Sequence, residues 1–115
     1  MLIYDRAHEL AKELKQSEEY KRYKEARDKV EADETARNLF KEYKKLQMKA
    51  QAAIIGGGQP DAETMEKMEK LGEVLQFSKD VAALLIAEYS FHKILSDVYK
   101  IIGDAAEVDM GFLAD

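Results

Sequence analysis

The stretch Ser78–Gly103, SKDVAALLIAEYSFHKILSDVYKIIG, decides the fold. It is the longest apolar-rich run of the chain, with no Pro and no internal Gly. Placed on a helix at about 100° per residue, its apolar residues cover well over one face. Val81, Leu84, Leu85, Tyr89, Phe91, Leu95, Val98, Tyr99 and Ile102 form a broad arc, and Ile86, Ile94 and Ile101 fall outside its densest part. A helix that is apolar nearly all round must be covered on several sides. The other helices of the chain or a second copy of it must do the covering. Ser78 is placed to cap its start, and Gly103 fits the helix-stopping position at its end.

Upstream, Gly56 to Pro60 (GGGQP) is the strong break of the chain. Three Gly and a Pro cannot continue a helix, and a short flexible connection makes antiparallel neighbours of the helices it joins. After it, Asp61 caps a fourth helix with Met65, Met68, Leu71 and Leu75 on one face, both Met being expected in the core. Before it, Asp33 caps a third helix whose stripe is close to a heptad: Ala36, Leu39, Phe40, Tyr43, Leu46, Ala50, Ala53 and Ile54. That spacing predicts coiled-coil-like packing. Ser17 caps a second helix with a thin stripe (Tyr20, Tyr23, Ala26, Val30), expected on the surface of the bundle. The first helix buries Ile3, Ala7, Leu10, Ala11 and Leu14 on this reading. The prediction is all-α: five helices at 3–15, 18–31, 33–55, 61–76 and 79–102, no strand, in an antiparallel bundle. Residues 1–103 form one domain, and 104–115 form an acidic-apolar tail. That tail reads as a terminus, a docking segment, or a segment packed on its own bundle.

Length and charge narrow the function classes. With 115 residues the chain can remove roughly 65% of its unfolded surface on folding. A net charge of −5 argues against a general nucleic-acid binder. The absence of Cys excludes disulfides, thiolate metal sites and a Cys nucleophile. No apolar run approaches the ~20 residues of a membrane span, and MLIYDRAHEL lacks the features of a signal peptide, so a cytoplasmic protein is expected.

The segment Tyr20–Lys29 (YKRYKEARDK) mixes bases with aromatics, as RNA-binding surfaces do. Its bases Lys21, Arg22, Lys24, Arg27 and Lys29 are matched by Glu18, Glu19, Glu25, Asp28 and Glu31, which favours a solvated helix with i, i+4 ion pairs. The basic face Arg37, Lys41, Lys44, Lys45, Lys49 reads the same way. Glu88 and His92 stand one turn apart inside the apolar arc of the fifth helix. A buried carboxylate there needs a partner. A structural hydrogen bond or ion pair, within the chain or across a dimer axis, meets that need, and an exposed gap in the interface removes it. A metal or acid–base pair is the alternative, but bundle metal sites recruit further carboxylates and His from facing helices. The chain's one other His is His8. GGGQP lacks the strand before it and the Lys-Ser/Thr after it that a phosphate loop needs.

Tyr4, Ala7, Leu10, Ala11 and Leu14, then Ser17-Glu18-Glu19-Tyr20, Ala26, Asp33 and Ala36, resemble the YlbF/YmcA family of small helical bacterial proteins, and more closely its YheA-type branch. The Gly-rich break and Ala87-Glu88 fit the same pattern, so the resemblance covers about residues 2–102. It implies a self-associating all-α bundle of a Gram-positive cytoplasm. Members of the family act as regulatory subunits in sporulation, competence and biofilm decisions, assembling with another protein to influence RNA processing. Some of those complexes hold iron–sulfur clusters through Cys, a property this Cys-free chain cannot share.

The expected function is therefore that of a non-catalytic interaction protein, a regulatory adaptor with no cofactor, no bound metal, no direct nucleic-acid contact and no membrane span. A metal- or small-ligand-binding bundle centred on Glu88 and His92 is the alternative. The expected partners are a protein of a regulatory complex and the chain itself, as a homodimer or a higher even oligomer. The fifth helix builds that self-interface, with Leu84, Glu88, Phe91, His92, Leu95, Val98 and Ile102.

Overall fold

The computed structural model describes residues 1–108, which form five helices and no strand: α1 (Leu2–Gln16), α2 (Glu18–Ala32), α3 (Glu34–Ile55), α4 (Ala62–Leu75) and α5 (Lys79–Ala106). Four of the five starts, all but that of α1, fall where a side chain satisfies a free backbone N–H. Ser17 Oγ accepts from the Tyr20 N–H at 3.1 Å and donates to the Leu14 carbonyl at 2.7 Å. One hydroxyl thus closes α1 and opens α2. Asp33 Oδ1 accepts from the Thr35 N–H at 3.1 Å and Asp61 Oδ1 from the Thr64 N–H at 2.7 Å. Ser78 Oγ accepts from the Val81 N–H at 3.4 Å.

Two helix ends share one device. At the end of α3, the Gly58 N–H bonds the Ala53 carbonyl and the Gly57 N–H bonds that of Ile54, both at 3.0 Å. This Schellman closure needs a left-handed residue, supplied by Gly57 at φ 86°. At the end of α5 the Val108 N–H bonds Gly103 at 2.9 Å, and the Glu107 N–H bonds Asp104. There Glu107, not a glycine, takes the positive φ of 57°. Gly103 therefore does not stop the helix as expected. It is buried inside α5, which runs on to Ala106. Most of the expected tail, with Met110, Phe112 and Leu113, lies outside the described residues.

The chain divides into two compact units. One comprises Ala26–Leu84; the other comprises Met1–Glu25 and the residues from Leu85 onward, so α2 and α5 each supply both. In the 26–84 unit α3 and α4 form an antiparallel hairpin about the glycine turn. The charge of Asp61 feels Lys49, and that of Lys67 feels Glu42, as two helices running apart from one loop require. The buried apolar residues of this unit are Val30, Ala36, Ala50, Leu75, Val81 and Leu84. Val30, at 1% exposure, corrects the expectation that α2 lies wholly on the surface. Met65 is exposed and Met68 half-buried, so Met65 is not core as expected.

The other unit packs differently. No residue of α1 is buried. Ile3, Ala7, Leu10 and Ala11, expected on a buried face, are exposed, and Leu14 alone of that stripe is half-buried. A periodic stripe marks a face that can be covered. It does not say that the same chain covers it.

Candidate interaction surfaces

The residues assigned from sequence to a self-interface on α5 meet different fates. Leu84, at 1% exposure, is covered by its own chain and has no surface to offer a second copy. This corrects its place among them. Phe91 is held in an aromatic cluster with α2. Its ring meets Tyr20 edge-on at 5.4 Å and stacks on Tyr23 at 5.6 Å, so these two tyrosines of the thin α2 stripe are spent on packing in the unit that holds Phe91. Glu88, Leu95 and Val98 are half-buried, while His92 is exposed and Ile102 is 47% exposed.

Other large apolar residues of α5 lie open: Ile86, Tyr89 and Ile101. They sit on the face that also carries Lys93, Asp97, Lys100 and Asp104. Lys100 bonds Asp104 at 2.8 Å, which raises the lysine above its ordinary value, and Lys93 pairs with Asp97 at 3.6 Å. Exposed i, i+4 pairs of this kind add little to stability and leave the apolar side chains between them open. Glu88 and His92 acquire no ligating company: among the described residues no group of three or more His, Asp or Glu could hold a metal ion.

A shallow open groove of about 330 Å³ lies between α3 and α4, lined by Glu42, Leu46, Lys67, Lys70, Leu71 and Val74. The sequence marked Leu46 and Leu71 as stripe residues. The groove itself depends on how two helices splay, which no spacing encodes. Its lysines are tied down by Lys67–Glu63 at 3.0 Å and Lys70–Glu66 at 3.1 Å. Two members of the basic face of α3 are likewise engaged. Arg37 Nη1 donates to the Glu31 carbonyl at 3.0 Å, and Lys44 Nζ lies 5.5 Å above the Phe40 ring. Among the described residues no helix is long and apolar enough to cross a membrane.

Comparisons with known proteins follow the same lines. The family model described as control of competence regulator ComK, YlbF/YmcA, matches residues 3–106. A UPF0342 protein of Symbiobacterium thermophilum is 41% identical over 110 residues, covering 96% of this chain and 98% of its own length. One from Clostridium novyi is 38% identical, covering 95% and 96%. Among solved structures, a Bacillus stearothermophilus protein of unknown function (DUF964) superposes with a TM-score of 0.75 over 93% of this chain and 94% of its own, at 21% identity. Bacillus subtilis RicA, solved in complex with RicF, superposes at 0.60 over 91% and 93%, at 24% identity. Both likenesses bear on the fold alone. The match along almost the whole chain and the identity to the UPF0342 relatives place this protein in the YlbF/YmcA family.

Proposed function

We propose that this chain is a non-catalytic regulatory adaptor that works in the cytoplasm by binding other protein chains. The observation that carries the reading is the apolar surface left open on α5, at Ile86, Tyr89, Ile101 and Ile102. Single domains rarely keep many large apolar side chains in water unless a partner covers them. The family's description as control of a competence regulator supports a regulatory role, and RicA, a protein of the same fold, was solved together with a protein partner.

In this reading α5 also meets α5 of a second copy, giving a homodimer or a higher even oligomer. His92 and Ile102 bring exposed surface to that contact. Glu88, Phe91, Leu95 and Val98 add the area they keep while half-buried. A twofold axis there brings Glu88 and His92 of each copy close to those of the other.

Light scattering tests the assembly: twice the monomer mass, or a higher even multiple, is expected. Leu95→Asp places a carboxylate in the contact at a cost of several kcal/mol and dissociates it. A monomer at micromolar concentration removes the self-association. Stoichiometric metal found by elemental analysis of the purified protein would favour a ligand site at Glu88 and His92 instead.

A further inference from the structure

The first helix poses the sharpest unanswered question in the molecule. Its apolar residues concentrate on one side more strongly than those of any other described helix, yet none of its residues is buried. Ile3, Ala7, Leu10 and Leu14 recur at intervals of four and three, the spacing of a two-helix seam. Ile3 is 64% exposed and Leu10 37%. Tyr4 and Ala11, both exposed, widen the seam on one flank, and Arg6 and Glu13 border it on the other.

We propose that this face is covered by α1 of a second copy, the two helices running antiparallel about a twofold axis. The inference rests on the reading that the chain works through association, and it assigns a surface which that reading does not use. The register follows from the side chains. Setting Ile3 of one copy against Leu14 of the other also sets Ala7 against Leu10, so a small residue meets a large one at both central layers. In the same register Arg6 of each copy lies beside Glu13 of the other. The twofold axis makes this opposite-charge contact twice. A parallel pair would set Arg6 against Ala11 and leave its charge without a counterpart across the seam. The face is thus complementary to itself in one direction only. Arg6 already bonds Glu9 of its own helix at 3.1 Å, which holds the guanidinium on this flank.

The chain contains no Cys, so introduced thiols are unique reporters. Ile3→Cys chains mixed with Leu14→Cys chains should join through a short bismaleimide. Ile3→Cys chains alone should not, because antiparallel helices hold their two thiols roughly 16 Å apart along the axis. Leu10→Asp should raise the self-dissociation constant by about tenfold or more at unchanged helix content, since Leu10 is not part of a buried core. Efficient joining of Ile3→Cys chains to one another would overturn the antiparallel pair. So would self-association untouched by Leu10→Asp. Ile102→Asp separates this inference from the α5 contact. Self-association lost with Ile102→Asp and kept with Leu10→Asp retains α5 and removes α1, whereas the reverse pattern supports α1 and removes α5.

Discussion

The two units of this chain draw on similar side chains and do different things with them. In the 26–84 unit Val30, Leu75, Val81 and Leu84 disappear from solvent, and two alanines of α3 sit beneath them in size but not in burial. In the other unit Leu2, Ile3, Tyr4, Leu10, Ile86, Tyr89, Ile101 and Ile102 stay accessible, while Tyr20, Tyr23 and Phe91 form an aromatic cluster. Fully burying a Val or Leu is worth about 1.5–3 kcal/mol, and the first unit collects that several times over. The second collects little of it from its own chain. Apolar patterning alone therefore does not measure stability. The same kind of stripe is core where a second stripe faces it and stays open to solvent where none does.

The largest effect that could break this contrast lies at Leu84. Leu84→Ala should cost about 2–5 kcal/mol in chemical denaturation, as truncations of enclosed leucines do. Leu10→Ala should stay within about 0.5 kcal/mol under dissociating conditions. Equal costs at the two positions would mean that α1 is packed as tightly as the 26–84 core. Phe91→Ala should fall between them, at about 2 kcal/mol, because it removes two aromatic contacts from a half-exposed site.

Two glycines sharpen the account of the α3–α4 hairpin with changes of opposite sign. A side chain at Gly57 meets nothing within 4 Å, so Gly57→Ala tests the backbone alone. At φ 86° it should cost about 1 kcal/mol. Gly72 stands inside α4, and a Cβ there also meets nothing within 4 Å. Gly72→Ala should raise stability by up to about 1 kcal/mol through helix propensity and a less entropic unfolded chain. Thermal denaturation of the pair reads both signs.

The smallest expected effect is a pH dependence at the start of α4. The Thr64 side chain and its amide, with Lys49 and Lys67 nearby, hold the Asp61 carboxyl below its ordinary value. A depressed carboxylate contributes stability that is present above its unfolded pKa and lost as the pH falls through its folded one. Asp61→Asn keeps a capping oxygen and removes the titration. Its acid-unfolding profile should be flatter than the parent's at the low end of the carboxylate range. An unchanged profile would mean that the cap contributes no charge-dependent stability.

Read from the residues alone, the five helices emerge with small boundary errors, because caps and breakers act within a few residues of chain. Ser17, Asp33, Asp61 and Ser78 each needed only a nearby N–H to declare their role. The error at Gly103 has the same local character. A Schellman closure one turn later, with Glu107 in the left-handed region, let the helix pass through a glycine that packing had buried. Family membership was legible too, since it rests on those packing and capping positions. Only the tertiary structure decided which stripes are covered. It took Leu84 into a core, paired Phe91 with two tyrosines of α2, opened a groove beside Leu46 and Leu71, and left the stripe of α1 in solvent. Periodicity states that a face is apolar, and helix capping is a matter of neighbours in sequence. Coverage depends on residues far apart in the chain, and those meet only when the helices pack.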